Sequence, residues 1–149
     1  MIERLNVLLK AELAAVAGYQ KALRTLKKKA ADDGDHIIQL AADHQRTVTA
    51  LQVSVKARGG APPEAADPWE GSEQKALTNG NFVRLEDKEF VTALLEVERR
   101  GLAEYETSLT SLDDEARELV EFELIPRQRR HVTRLSELLA RIGAHPSMS

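Results

Sequence analysis

Cysteine is absent from the 149 residues of this chain, and aromatic residues make up only 4% of it. Without cysteine, disulfides, iron–sulfur clusters, thiolate metal sites and cysteine nucleophiles are all excluded. Any metal site must therefore use histidine and carboxylate ligands. The sequence also lacks a glycine-rich phosphate loop, a serine nucleophile elbow and a His-Glu-x-x-His zinc motif.

Long hydrophobic runs and a strong charge imbalance are missing as well. Hydrophobic residues make up 42% of the chain, but no apolar run approaches the ~20 residues of a membrane-spanning helix. The formal net charge of −3 argues against nucleic acid as the main partner, because phosphate binding needs a dominant basic surface. The charged residues Glu3 and Arg4 do not fit the start of a signal peptide. We expect a cytoplasmic protein that binds neither nucleic acid nor membranes, and a homodimer or another homo-oligomer stays open.

Glycine and proline are scarce, and many of them cluster between residues 59 and 80. The flanking segments are rich in Leu, Ala, Glu, Arg and Lys, which are strong helix formers, and each segment is too long for one globular helix. The sequence therefore predicts a single all-α domain over residues 1–149. It consists of helical hairpins at 2–58 and 87–142, joined by a crossover connection at 59–86.

Apolar residues recur three and four positions apart in all four predicted helices, the spacing of a heptad seam. Polar residues interrupt each seam where an apolar residue is expected. These residues, which we call the polar layer, are Glu12, His44, Glu98, Gln128 and His131.

The position of the first turn decides whether Glu12 lies level with His44. A turn at Asp32–Asp35 would separate the two side chains, whereas a turn near Leu26–Lys29 brings them to one level. We favour the second position because it makes the two hairpins equivalent and puts acidic residues early in a helix, where the dipole favours them. It places Gly34 inside a helix, which costs about 1 kcal/mol.

The two hairpins also repeat each other. Glu12 and Tyr19 in the first helix match Glu98 and Tyr105 in the third, with the same leucine and alanine residues around them. The second and fourth helices align in the same way. A duplicated hairpin joined by a long connection is typical of a four-helix bundle.

The chain resembles the small bacterial ferritin-like proteins of uncharacterised function, which are four-helix members of the ferritin-like superfamily. The resemblance spans residues 2–142 and is carried by the paired Glu-x6-Tyr helices and three short stretches. These stretches are Ala42-Asp43-His44-Gln45-Arg46, Gly59-Gly60-x-Pro62 and Pro126-x-Gln128-x2-His131.

The wider superfamily implies a di-iron site, with one Glu from each of two helices and a Glu-x-x-His motif from each of the other two. By this resemblance, Glu12 and Glu98 match the lone acids, and His131 matches one motif histidine.

The chain also departs from that pattern. His44 and Gln128 stand where the motif acids belong, and Thr47 replaces the other motif histidine. Two neighbouring metal ions need several carboxylates to offset their charge. Enzymatic activity is therefore uncertain, and a di-iron oxidase is the least favoured function.

Two functions stay open for the polar layer. In the first, the layer binds one divalent metal ion, iron or manganese, and its candidate ligands are Glu12, His44, Glu98, Gln128 and His131. In the second, the layer is metal-free and belongs to a structural or stress-linked interaction protein. Without metal, burial and mutual repulsion predict a raised pKa for at least one of Glu12 and Glu98.

Overall fold

The computed structural model describes the backbone of residues 1–26, 31–65 and 87–144. Within these ranges, the chain forms five α-helices. They are α1 (Ile2–Leu26), α2 (Ala31–Ala57), α3 (Asp87–Ser108), α4 (Asp114–Leu119) and α5 (Ile125–Ala144). A short 3-10 turn, Leu109–Ser111, follows α3, and a π-helical segment, Val120–Leu124, joins α4 to α5. No helix in this described part of the chain has the length and hydrophobicity needed to cross a membrane.

The helices pack as two pairs, α1 with α2 and α3 with α5. This confirms the predicted all-α architecture of two hairpins and is consistent with a four-helix bundle. The predicted crossover at 59–86 falls largely outside the described residues, which resume at residue 87.

The first hairpin has the favoured register. Helix α1 ends at Leu26 and α2 begins at Ala31, so Gly34 lies inside α2. Residues 27–30 lie outside the described part of the chain. The turn predicted near Leu26–Lys29 therefore falls largely on residues outside the described part, while Glu12 contacts His44 directly, as the favoured register requires.

Two glycines end α2. Gly59 has a positive φ of 79°, a conformation that suits glycine because it lacks Cβ. The N–H of Gly59 donates to the carbonyl of Lys56, and the N–H of Gly60 donates to that of Val55. This is the Schellman arrangement of a helix C-terminus. A Cβ at Gly60 would lie 2.9 Å from Ile2 on α1, so the glycine also allows α1 to pack closely here.

The apolar core has two parts, and along α2, α3 and α5 the polar layer falls between them. One part is centred on buried residues that include Tyr19, Ile37, Leu40, Leu94 and Leu135. The other includes Leu5, Leu9, Leu51, Val55 and Leu124. Most predicted seam residues are therefore buried, and the layer is enclosed by apolar side chains on both sides.

The predicted fourth helix is interrupted by a π-helical segment. The N–H of Ile125 donates to the carbonyl of Val120, five residues earlier. Pro126 follows at once. It has no N–H, and its ring crowds the carbonyl four residues before it, that of Phe122. The π-helical turn falls at this point of the chain. Pro126 inside a helical pattern was a signal for such an irregularity, which lies one turn before Gln128.

Candidate metal site in the polar layer

All five residues of the polar layer are buried, as the seam pattern predicts. Their exposed fractions are Glu12 5%, His44 3%, Glu98 1%, Gln128 4% and His131 2%. Each comes from the inner face of α1, α2, α3 or α5. Because a buried ionised group is costly without a partner, the contacts among these side chains decide what the layer can do.

His44 lies between the two glutamates. Its Nδ1 atom hydrogen-bonds to Glu12 Oε2, and its Nε2 atom lies 2.7 Å from Glu98 Oε1. Burial opposes a charge on the imidazole, but the negative charges of Glu98 and Glu12 outweigh it and raise the pKa of His44 well above its ordinary value. In this arrangement, a protonated His44 donates from both ring nitrogens to carboxylates.

The prediction of a raised pKa for at least one of the two glutamates is not met at Glu98. Burial does raise the pKa of this carboxyl, but the charge of His44 and the neighbouring His131 imidazole outweigh burial and bring the pKa well below its ordinary value. The prediction assumed that the two glutamates face each other. In the structure, His44 lies between them and replaces repulsion with attraction.

Two tyrosines hydrogen-bond to the glutamates, each to the glutamate of the other hairpin. Tyr19 on α1 donates its hydroxyl hydrogen bond to Glu98 Oε1 on α3, while Tyr105 on α3 donates to Glu12 Oε1 on α1. Burial, followed by the nearby carboxylate charges, raises the pKa of both phenols. Both tyrosines are therefore neutral donors that tie the two hairpins together.

His131 reaches the layer from α5. Its Nε2 atom lies 2.9 Å from Asp43 Oδ2, and its Nδ1 atom lies 3.5 Å from Glu98 Oε2. Among the described residues, Nδ1 is buried and has no hydrogen-bond partner. Since a carboxylate only accepts, the Nε2 atom carries a hydrogen and donates it to Asp43, while Nδ1 faces the layer.

Asp43 was not among the predicted site residues. It is half-buried on α2, where Arg46 Nη1 lies 2.5 Å from its Oδ1 atom. Burial opposes its charge, but the hydrogen bond and charge of His131 and the charge of Arg46 lower its pKa. Asp43 lies one position off the apolar seam, so the seam pattern did not indicate it. Its position next to His44 was the available signal.

Gln128 presents its amide nitrogen to Glu98. The Nε2 atom donates to the backbone carbonyl of Glu98 at 2.9 Å and also to Oε2 of the same residue. An amide nitrogen is a donor and has no free lone pair for a metal. Gln128 was predicted as a ligand, and in the structure its amide nitrogen faces Glu98.

Thr47 lies beside a cation that was not among the predicted site residues. Its hydroxyl accepts a hydrogen bond from Arg127 Nη1 at 3.0 Å and donates to the backbone carbonyl of Asp43 at 3.2 Å. The Arg127 side chain is only 14% exposed and pairs with Glu123 at 3.2 Å. A fixed positive charge therefore lies next to the polar layer on the α2 side.

Three residues of the layer could hold a metal ion. His44, Glu98 and His131 each offer one ligand atom, and these atoms all lie within 4.8 Å of one another. Two imidazole nitrogens and one carboxylate oxygen are a common donor set for divalent transition metals. The Nδ1 atom of His131, which has no hydrogen-bond partner among the described residues, fits this chemistry, because an imidazole nitrogen without a hydrogen binds a metal ion through its lone pair.

Both imidazoles also have a carboxylate on the nitrogen that faces away from this cluster. Glu12 contacts His44 Nδ1, and Asp43 contacts His131 Nε2. Carboxylates in this position orient metal-binding histidines and raise their basicity. Glu12, predicted as a ligand, is therefore placed to orient His44.

Comparison with known proteins gives no assignment. Neither a protein-family model nor a curated protein sequence matches the chain. The contacts within the polar layer are thus the basis for any functional conclusion.

Proposed function

We propose that this chain is a ferritin-like bundle protein that binds one divalent metal ion, iron or manganese, through Glu98, His44 and His131. The observation that carries the proposal is the buried Nδ1 atom of His131, which has no hydrogen-bond partner among the described residues and lies 3.5 Å from Glu98 Oε2. An unsatisfied buried polar atom costs about 1–3 kcal/mol. A metal ion bound there removes that cost.

An ion held by His44 Nε2 and Glu98 Oε1 would replace the proton between these two atoms, which are 2.7 Å apart and would have to separate. His44 then keeps its Nδ1 hydrogen bond to Glu12. Metal binding and loss of a ligand proton are linked in this way at most protein sites.

The charges around the layer favour a single ion. A divalent cation and a neutral His44 are balanced by Glu12 and Glu98. A second cation has no further carboxylate in the layer and is repelled by Arg127, whose guanidinium is held against Thr47. Two adjacent metal ions need several carboxylates. We therefore propose one ion per chain and no di-iron oxidase activity.

Iron and manganese are the proposed ions because the donor set mixes nitrogen and oxygen. Two imidazoles and one carboxylate are the ligands of mononuclear non-haem Fe(II) sites, and carboxylate oxygen also suits Mn²⁺. The resemblance in the sequence points to the same metals.

The proposal is tested by titrating metal-free, tag-free protein with Mn²⁺, and with Fe²⁺ under anaerobic conditions. We expect about one ion per chain, and His131→Gln should weaken binding by at least ~10-fold. His36→Gln is the matched control, since His36 is half-buried outside the layer and contacts Arg141. Absence of binding, or equal binding by the His131 and control variants, would overturn the proposal.

A second candidate function follows from His44. Both of its nitrogens already have carboxylate partners, so this residue needs no metal. That supports a metal-free layer in a structural or stress-linked interaction protein. A ligand that binds only the folded state raises the melting temperature. Unchanged melting with saturating Mn²⁺ and Fe²⁺ would favour this second function, whereas a clear rise would favour metal binding.

A further inference from the structure

Gly101 lies inside α3, where glycine destabilises a helix relative to alanine. A Cβ at this position would lie 2.9 Å from Gln128 Nε2 and 3.6 Å from its Cδ atom. Real Cβ atoms do not approach another heavy atom that closely. Because Gly101 has no Cβ, the amide of Gln128 can occupy the space beside it. This explains why glycine stands inside the helix here.

In that space, the amide nitrogen of Gln128 hydrogen-bonds to Glu98. Its nitrogen donates to the Glu98 backbone carbonyl at 2.9 Å and to the side-chain oxygen Oε2. An amide nitrogen has two hydrogens, so both are used on one residue. The other oxygen, Oε1, faces Tyr19 and His44.

We propose that Gln128, seated in the space left by Gly101, holds Oε2 of Glu98 and so restricts this carboxylate to one coordinating oxygen, Oε1. The inference rests on the proposed function, since it concerns how Glu98 binds the ion. With Oε2 occupied, Glu98 is monodentate and the chain supplies three donor atoms. The remaining coordination positions are then left to water or another small ligand.

Co²⁺ is a suitable probe, because its visible absorption weakens as its coordination number rises. Gln128→Leu removes the amide donor and keeps a side chain of similar size. Gly101→Ala places a methyl group in the space that the Gln128 amide occupies and so displaces the amide. We expect the Co²⁺ absorption of both variants to weaken, because Glu98 becomes bidentate. The affinity of both variants for Co²⁺ should fall by about 10-fold.

A double-substitution cycle shows whether Gly101 acts through Gln128. In a Gln128→Ala background the amide is gone, so adding Gly101→Ala should leave the Co²⁺ spectrum unchanged. The same addition should raise the melting temperature of the metal-free protein, because alanine favours a helix where no clash opposes it. The metal-free measurement tests the steric coupling separately from metal binding.

The outcomes separate the two proposals. If the wild-type protein binds Co²⁺ but Gln128→Leu and Gly101→Ala keep its spectrum, this inference is overturned while the proposed function stands. An equal spectral effect of Gly101→Ala with and without Gln128 would also overturn it. If the wild-type protein binds no Co²⁺, Mn²⁺ or Fe²⁺, both proposals fail. Gln128→Leu removes the amide and Gly101→Ala displaces it, so either variant alone tests the inference if the other folds poorly.

Discussion

Glu12 and Glu98 occupy matching positions in α1 and α3, each seven residues before a tyrosine, yet their surroundings differ. Within the described part of the chain, Glu12 is hydrogen-bonded to the side chains of His44 and Tyr105. Glu98 lies at the centre of the layer. Its neighbours are Tyr19, His44, Gln128 and, at 3.5 Å, His131. Similar helices thus supply one acid that orients a histidine and one that faces a cluster of possible metal ligands.

The difference comes from α2 and α5. On α2 the imidazole of His44 comes first and Thr47 follows one turn later, while on α5 the amide of Gln128 comes first and His131 follows. Each hairpin therefore contributes one imidazole. In the first hairpin it is the earlier of the two matched residues, His44, and in the second it is the later one, His131. Both rings turn a nitrogen toward Glu98. The different order of the imidazole on α2 and α5 is therefore enough to bring both rings to Glu98.

The largest expected effect is on stability, from His44→Ala. This change leaves two buried carboxylates without their shared partner, and breaking a buried ion pair costs about 3–5 kcal/mol. The matched change on α5, Gln128→Ala, removes hydrogen bonds to Glu98 and should cost about 1–3 kcal/mol. Urea unfolding of the metal-free proteins measures both. Equal losses would contradict the role of His44 as the shared partner of both acids.

The second prediction concerns metal affinity and compares the two glutamates directly. Glu98→Gln removes a proposed ligand, whereas Glu12→Gln removes a carboxylate that orients His44. Changes of the second kind typically cost ~10–100-fold in affinity, and loss of the ligand should exceed the loss seen in the Glu12 variant. Competition titrations with Mn²⁺ measure the difference. A larger loss with Glu12→Gln would show that Glu12 is the ligand instead.

Asp43→Asn gives the third prediction, a smaller loss of metal affinity of about 10-fold. The amide of asparagine can rotate to present a nitrogen to His131, so Nε2 no longer has a fixed acceptor and Nδ1 loses its set orientation. The melting temperature of the metal-free variant should change little, because Asp43 is partly exposed. Unaltered affinity would mean that Asp43 does not orient a ligand.

The smallest effect is expected far from the layer, at the start of α4. Arg58 donates to both carboxylate oxygens of Asp113, at 2.8 and 3.1 Å, and Asp113 also accepts from the N–H of Ala116 at 2.9 Å. The hydrogen bond from Arg58, followed by that from Ala116, lowers the pKa of Asp113 from 3.8 to about 2. This contact joins the end of α2 to α4.

Because the pKa is lower in the folded state, the charged Asp113 contributes stability above about pH 4, and this contribution is lost as the pH falls toward 2. Asp113→Asn keeps an acceptor for Ala116 but removes the charge. We expect a slightly lower melting temperature at neutral pH, and a difference from the wild type that shrinks on acidification. A difference that stays constant between pH 6 and pH 2 would contradict this.

Much of the fold could be predicted because it depends on periodic features. The seam residues Leu5, Leu9, Leu51 and Leu135 are buried as their spacing predicts, and helix propensity together with the acids after Lys29 indicated the first turn. The π-helical segment was missed, because a proline shows that a helix is disturbed but not how the backbone responds.

The polar layer could be predicted for the same reason, but its internal contacts could not. Which nitrogen of His44 faces which acid depends on side-chain rotamers, and those contacts decide the pKa of Glu98. Asp43 and Arg127 lie off the seam, so periodicity gave no reason to place them at the site.

The most direct test of the central claim is a crystal structure of the protein loaded with Mn²⁺, with the ion located by its anomalous scattering. We expect one ion bonded to His44 Nε2, Glu98 Oε1 and His131 Nδ1, with distances near the ~2.0–2.2 Å typical of nitrogen and oxygen ligands. Glu12 should keep its contact with His44 Nδ1 and remain outside the coordination sphere. An ion bound by Glu12, a second ion in the layer, or no ion there at all would contradict the account.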